Sequence, residues 1–204
     1  MTAPLRYGII GAQSWAIGGE HVRSVLDTPD VDLIAACNSD TGELDKLGAV
    51  VPQDTELVEN AAALFARGDL DAVVVSTPNH THRELAEGAF AAGLHVLCEK
   101  PLAPTVADCD AILQARDRAG KLLQVGMHRR YSRLFLHLEK LVAAGELGRP
   151  VLMWSQEFRG DWKILPPHRP NWRYSNELSG GSLVEKSVHD FDVFNGFAGA
   201  PPVR

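Results

Sequence analysis

The chain of 204 residues is 45% hydrophobic and 23% charged, a composition typical of folded globular proteins that excludes a disordered or fibrous chain. Its 20 basic and 26 acidic side chains give a formal net charge of −6, which argues against binding to the phosphate backbone of nucleic acids. The three cysteines form no CxxC pair, and the start of the sequence lacks the features of a signal peptide. No apolar run comes near the roughly 18 residues that span a bilayer. Together these features indicate a cytoplasmic protein without membrane contact.

The first part of the chain predicts strands that alternate with helices. Short apolar runs predict strands over 5–10, 31–37, 71–76, 95–98 and 122–125. Helical spacing and capping residues predict helices over 22–26, 41–47, 60–67, 81–92, 105–119 and 133–144. This alternation predicts a doubly wound α/β domain with a parallel sheet over residues 1–125, a Rossmann fold.

The pattern changes after Arg149 and Pro150. Residues 151–158 partly alternate and predict an antiparallel strand, 160–182 predict a long loop, and 182–197 predict a helix. We interpret 126–149 as a connecting segment with a helix and 150–204 as the start of a C-terminal α+β domain. One strand and one helix cannot close a core, so we expect this second domain to be incomplete, as in a truncated product.

The first predicted strand leads through a glycine turn into a helix, the context in which a dinucleotide pyrophosphate binds. Gly11 stands at the first position of the GxGxxG pattern, but Gln13 replaces the second glycine and Ala16 the third. Gly18 or Gly19 takes the last position if the loop carries about two extra residues. An ordinary turn of an α/β sheet is the alternative interpretation.

Asn38 follows the second predicted strand, where an acidic side chain usually accepts hydrogen bonds from the adenosine ribose. No arginine follows to hold the 2′-phosphate of NADP, and Asp40 would repel one. The pattern therefore favours NAD without excluding NADP. The alternative is that Asn38 only supports a turn.

Polar segments follow the next two predicted strands, at the edge of a doubly wound sheet where ligands bind. In the segment 76–82 (STPNHTH), His80 and His82 lack further ligands at metal spacing, so we expect no metal site. Lys100 follows the strand 95–98, and a lysine beside a nicotinamide can take part in proton transfer. A surface lysine in a loop is the alternative.

Glu185 and His189 lie four residues apart in a predicted helix and so share one face. A carboxylate in that position can orient or charge-stabilise an imidazole for acid/base work. A solvated pair of side chains on an exposed helix face is the alternative.

Several of these segments occur together in one known family. They are the opening with Gly8 and Gly11, STPNHTH at 76–82, CEKPL at 98–102, NWR at 171–173 and GGSLVEKSVHDFD at 180–192. Together they resemble the Gfo/Idh/MocA oxidoreductase family, which includes inositol and glucose-fructose type dehydrogenases. The resemblance implies hydride transfer between NAD(P) and a carbon of a sugar or cyclitol.

The resemblance also implies roles for individual residues. Lys100 contacts the reacting hydroxyl and the nicotinamide region, His189 is the acid/base, and Glu185 matches a carboxylate that precedes this histidine. The implied cofactor contacts come from both parts of the chain: Gly11, Ala12, Gln13, Ser14, Trp15, Asn38, Ser76, Thr77, Pro78, Asn79, His80, Glu99, Lys100, Trp172 and Arg173. In the family a mostly antiparallel C-terminal sheet walls the substrate pocket and commonly builds an oligomer interface, so we expect the full-length form to be a homo-oligomer.

Three functional hypotheses follow. The first is an NAD(P)-dependent dehydrogenase of a sugar or polyol, whose substrate contacts include Lys100, His189 and the side chains of Trp162, His168 and Arg169. Ordinary packing is the alternative for those aromatic residues. The second hypothesis is a non-catalytic dinucleotide-binding protein or an inactive fragment, because the glycine loop is irregular and the expected C-terminal sheet is incomplete. The third is a relative that uses transient NAD oxidation to cleave glycosides.

Overall fold

The computed structural model of the chain describes residues 3–14, 16–156 and 172–199. It divides the chain into two compact units, Met1–Gly126 and Met127–Arg204. None of the helices among the described residues is both long and apolar enough to cross a bilayer.

The first unit is built on a six-stranded sheet in the order β3-β2-β1-β4-β5-β6, and every neighbouring pair is parallel. The strands are β1 (Leu5–Ile10), β2 (Val31–Cys37), β3 (Glu56–Val58), β4 (Ala72–Val75), β5 (His95–Cys98) and β6 (Leu123–Val125). The strand order reverses at β1, between β2 and β4, which is the switch point of a doubly wound sheet. The predicted α/β fold is confirmed.

Five helices of this unit connect the strands. They are α1 (Ala16–Asp27), α2 (Thr41–Gly48), α3 (Ala61–Phe65), α4 (His82–Ala91) and α5 (Val106–Ala119). The side chains of Asn60 and Thr105 accept backbone hydrogen bonds at the starts of α3 and α5, so these two predicted N-caps are confirmed. Helix α5 ends at Gly120 in the left-handed conformation, also as predicted.

Two separate apolar cores cover the two faces of the sheet. Side chains alternate along each strand, so Ile9 and Val74 belong to the core with α1 and α2, whereas Ile10, Val73 and Val75 face the core with α4 and α5. Strands covered on both faces read as continuous apolar runs. This burial explains why 71–76 showed no alternation in the sequence.

Strand β3 was not predicted from the sequence. It contains only Glu56, Leu57 and Val58, and it pairs with β2 at the edge of the sheet. So short a segment has no detectable periodicity, and the pairing with β2 is what makes it a strand.

The regular secondary structure of the second unit is all helical over its described residues. It contains α6 (Arg133–Ala143), α7 (Asn176–Ser179), a π-helical turn (Leu183–Ser187) and α8 (Val188–Ala198), and α6 packs against α8. The strand predicted over 151–158 is wrong for residues 151–156, which have no regular secondary structure. A strand needs a neighbour for its backbone hydrogen bonds, and the described residues of this unit contain no other strand.

Candidate active site

Gly11 forms a tight turn directly after β1. Its φ of +83° is left-handed, and a Cβ there would lie 2.6 Å from the carbonyl oxygen of Ser76. A Cβ on Gly18, in the first turns of α1, would lie 2.3 Å from the carbonyl oxygen of Gly11. The close helix-to-turn packing that the last glycine of the GxGxxG pattern provides is therefore made by Gly18.

The rest of the turn is attached to α2. The amide and hydroxyl of Ser14 donate to one oxygen of Glu43, at 3.4 and 3.1 Å, and Lys46 donates to the other at 2.6 Å. The hydrogen bond from Lys46 holds the pKa of the Glu43 carboxyl below its usual range. Sequence reasoning missed Glu43, and Trp15 lies outside the described residues.

The Asn38 side chain bridges two loops of the sheet edge. Its Nδ2 donates to the carbonyl of Ala12 at 2.6 Å, and its Oδ1 accepts from the amide of Asp40 at 2.8 Å. Asp40 in turn caps α2 by accepting from the amide of Gly42. Asn38 thus supports the turn, as the alternative interpretation has it. Through Ala12 it also contacts the glycine turn.

The segment after β4 packs against the glycine turn. The Ser76 hydroxyl lies 3.2 Å from the carbonyl oxygens of both Ile10 and Gly11, and the hydroxyls of Thr77 and Thr81 share a hydrogen bond of 2.6 Å. Asn79 is only 2% exposed, Pro78 is half-buried, and His80 is exposed. This segment and the glycine turn form one continuous edge of the sheet.

His82, the second histidine of STPNHTH, is fully buried. Its Nε2 lies 2.9 Å from the carbonyl oxygen of Thr77 and its Nδ1 lies 3.0 Å from that of Pro101. Burial lowers the pKa of His82, against the opposing effect of these carbonyls. The ring cross-links the loops that follow β4 and β5. Among the described residues there is no group of three or more His, Cys, Asp or Glu side chains that could hold a metal ion.

Glu99 and Lys100 follow β5 at the same edge. Glu99 is 9% exposed; its Oε1 accepts from His21 Nε2 at 2.9 Å and its Oε2 accepts from the Lys100 amide at 3.1 Å. Burial acts to raise the pKa of Glu99, but the hydrogen bonds and charges of His21 and Lys100 outweigh it and hold that pKa below its usual range. Lys100 itself is half-buried. Sequence reasoning missed His21.

The second unit contains Glu185 and His189, each only 4% exposed, so they are not a solvated surface pair. Glu185 lies in the π-helical turn, a feature frequent at functional sites. Its carboxylate contacts Lys186 Nζ at 2.8 Å and Arg173 Nε at 3.4 Å. The Arg173 guanidinium also lies over the Trp172 ring, 4.4 Å from its centre.

His189 packs against a second histidine that sequence reasoning missed. The rings of His128 and His189 meet edge to face, with their centres 4.4 Å apart. The flanking charges are paired, because Arg129 contacts Asp190 at 3.2 Å and Arg130 donates to Asp192 at 2.8 Å. The predicted substrate contacts Trp162, His168 and Arg169 lie outside the described residues.

The first unit has the features of a dinucleotide-binding site. A left-handed glycine, a glycine-packed helix and polar loops lie together at the carboxyl edge of a parallel sheet, next to its switch point. These features define the class, a Rossmann-type dinucleotide-binding protein. The chain belongs to the Gfo/Idh/MocA oxidoreductases: residues 5–127 match the family described as "Oxidoreductase family, NAD-binding Rossmann fold", and residues 135–204 match the "GFO/IDH/MocA C-terminal domain".

Similar proteins include a reductase and a dehydrogenase. A 1,5-anhydro-D-fructose reductase of Ensifer adhaerens is 36% identical over 92% of this chain and 55% of its own length. An inositol 2-dehydrogenase of Klebsiella pneumoniae is 38% identical over 93% of this chain and 53% of its own. The crystal structure of an oxidoreductase domain protein from Kribbella flavida is 30% identical and has a TM-score of 0.78, covering 97% of this chain and 55% of its own. The chain thus spans about half the length of the curated relatives it matches.

Proposed function

We propose that the protein is an NAD(P)-dependent oxidoreductase that transfers a hydride between the cofactor and a hydroxyl-bearing carbon of a sugar, cyclitol or related polyol. The observation that carries this proposal is the single sheet edge on which the glycine turn and the Glu99-Lys100 loop both lie. The names of the two curated relatives support the polyol class of substrate.

The cofactor would be held by the turn at Gly11 and by the loops that contain Asn38 and Ser76. When bound, the nicotinamide supplies the hydride chemistry. NAD is the favoured form, because no arginine follows Asn38 to hold the 2′-phosphate of NADP and Asp40 would repel one. The remaining predicted cofactor contacts, Trp172 and Arg173 of the second unit among them, belong to the same proposal.

We assign the proton chemistry to residues of this chain. Lys100 polarises the substrate oxygen with its positive charge. His189 accepts the hydroxyl proton in the oxidative direction and returns it in the reductive one. Glu185 supports His189 from the helical turn that precedes it. Burial of Glu185 and His189 to 4% exposure favours these roles over that of surface side chains.

The proposal also includes a cytoplasmic location and assembly into a homo-oligomer. The three free thiols of Cys37, Cys98 and Cys109 are compatible with the reducing cytoplasm. A homo-oligomer of the full-length form is expected from the family resemblance, and size-exclusion chromatography with light scattering measures it.

Titration of the purified chain with NADH and NADPH, followed by nicotinamide fluorescence, tests cofactor binding. We expect saturable binding with NADH preferred at least tenfold, about 1.4 kcal/mol. A folded chain that binds neither cofactor contradicts the proposal.

Binding without turnover across a polyol panel favours the non-catalytic alternative, and turnover of a glycoside without net NADH change favours the glycosidase alternative.

Replacement of Lys100 tests its assigned role. We expect Lys100→Ala to lower kcat more than tenfold, over about 1.4 kcal/mol of barrier, while the Kd for NADH stays within twofold. Lys140→Ala, which removes an exposed lysine of α6, is the matched control and should leave both unchanged. An unchanged kcat in Lys100→Ala would exclude the role.

A further inference from the structure

His21 and Glu99 connect the two parts of the proposed cofactor site. His21 lies in α1, the helix that begins after the glycine turn, and Glu99 directly precedes Lys100. Their side chains are 18% and 12% exposed and meet at 2.9 Å across a sequence separation of 78 residues.

The contact fixes the position of the Glu99 carboxylate. His21 holds Oε1, and the amide of Lys100 donates to Oε2. On another side, a Cβ added to Gly126, which follows β6, would lie 3.2 Å from Oε1, a tight contact that the carboxylate would have to move to relieve. The carboxylate is thus enclosed by α1, by the exit of β6 and by the backbone of the lysine that follows it.

Stability alone does not account for such a pair. Buried ion pairs often contribute no more to stability than apolar side chains of similar volume, because both groups lose their hydration. The low pKa of Glu99 keeps it ionised at neutral pH, so its desolvation has to be offset by its hydrogen-bond donors. Apolar side chains could join α1 to the loop after β5 without this desolvation. The polar pair therefore points to a role in placing the Lys100 amide, which donates to the Glu99 carboxylate.

We propose that His21 is a positioning residue that acts through Glu99: it fixes the backbone amide of Lys100 and, with it, the starting point of the Lys100 side chain. Because α1 also begins at the glycine turn, the same pair aligns the lysine with the dinucleotide-binding turn. The inference rests on the proposed function, because in that function Lys100 has to point to the substrate oxygen.

Two substitutions of His21 separate positioning from packing. His21→Leu keeps an apolar bulk and removes the donor, whereas His21→Gln retains an N–H donor at about the place of Nε2. We expect His21→Leu to lower kcat at least tenfold, with the polyol KM and the NADH Kd within threefold, and His21→Gln to restore kcat to within threefold of the wild type. Glu20→Gln, at an exposed neighbour on α1, is the control and should match the wild type.

A second measurement does not depend on turnover. Hydrogen exchange at the Lys100 amide should be at least tenfold faster in His21→Leu than in the wild type and in His21→Gln, because its acceptor is no longer held. Unchanged exchange in His21→Leu, or equal losses of kcat in the Leu and Gln variants, would overturn the inference. NADH binding without turnover by the wild type would instead reject the proposed function, and the exchange result would still decide whether His21 positions Lys100.

Discussion

Gly11 and Gly18 approach each other across the turn, and neither position has room for a side chain. Gly11 has a left-handed φ of +83°, which L-residues with a Cβ rarely adopt. Gly18 has helical geometry, but a Cβ there would lie 2.3 Å from the Gly11 carbonyl oxygen. Gly11 is therefore constrained both by its backbone conformation and by the Ser76 carbonyl oxygen, whereas Gly18 is constrained by its neighbour alone.

Alanine substitution at Gly18 should reveal this close packing. We expect Gly18→Ala to lower the free energy of unfolding by about 1–3 kcal/mol and to weaken NADH binding, because α1 must move away from the turn. Gly196→Ala is the matched control: this glycine of α8 has no atom within 4 Å of an added Cβ. The control should be neutral or more stable by about 0.5–1 kcal/mol in urea unfolding. Equal effects at the two sites would contradict the packing argument.

Glu99 should make stability depend on acidity. Its pKa in the folded protein lies below the ordinary 4.5, so the folded state prefers the carboxylate. This stabilisation is fully present above pH 4.5 and is lost as the pH falls through the lower folded value. We expect Glu99→Gln to cost about 1.5–3 kcal/mol at pH 7 and progressively less toward pH 3, measured by urea unfolding. A cost that stays constant with pH would show that the charge is not responsible.

Burial should also slow the reaction of the Cys37 thiol with disulfide-exchange reagents. This thiol lies at the end of β2 among apolar side chains, and burial raises its pKa to about 11. Because the thiolate is the reactive form, we expect disulfide-exchange reagents to label Cys37 far more slowly in the folded chain than in urea. Rapid labelling at neutral pH under native conditions would contradict the buried placement.

At the scale of elements, the loops after β4 and β5 behave as one unit because His82 joins them. It contacts a carbonyl of each loop, at Thr77 and at Pro101. The two loops carry Asn79 and Lys100, both assigned to the proposed site. A single buried ring therefore sets the distance between two functional loops.

Loss of this ring should destabilise the first unit. We expect His82→Leu to lower the free energy of unfolding by about 1–3 kcal/mol, because a buried carbonyl is left without its donor. His80→Leu, at an exposed position of the same segment, should change stability by less than about 0.5 kcal/mol. Differential scanning calorimetry compares the two, and similar melting temperatures would contradict the cross-link.

Sequence patterns identified the elements whose determinants are local. The bounds predicted for β1, β2 and β5 match the structure, and the caps at Asn60 and Thr105 depend on residues only three positions away. By contrast, β3 depends on its pairing with β2, and residues 151–156 have no partner strand among the described residues. Tertiary pairing decides both cases, and a single sequence does not display it.

The same distinction applies to the candidate site. The positions of Asn38 and Lys100 could be predicted because carboxyl ends of parallel strands meet at one edge of the sheet. His21 and Glu43 were missed, because the partners that they contact lie many residues away in the chain. No periodicity or spacing rule links such side chains before the fold brings them together.

At the scale of the whole molecule, the second unit exposes an apolar groove. It has a volume of about 360 Å³ and lies between α6, α8 and residues 152–155. Leu152 is 82% exposed and Trp154 is 72% exposed. Contiguous exposed apolar surface is typical of interaction sites, whereas apolar residues that are exposed singly are ordinary.

Dye binding should report this groove. We expect the chain to enhance the fluorescence of an anilinonaphthalene dye, and we expect the double substitution Leu152→Ser and Trp154→Ser to reduce that signal. Val106→Ser, at a residue of α5 that is 78% exposed and does not line the groove, is the control and should not change it. A signal that survives the double substitution would locate the dye elsewhere.

The central position of β1 in the sheet leaves this strand incompletely paired while the chain is being synthesised on the ribosome. Leu5–Ile10 is synthesised before the other strands of its sheet, yet one of its two neighbours is Ala72–Val75, which leaves the exit tunnel much later. Until then, one edge of β1 has unpaired amides and carbonyls, and such edges recruit strands from other chains. We therefore expect nascent chains stalled before β4 to need a holding chaperone, and chains stalled after β6 to be released from it.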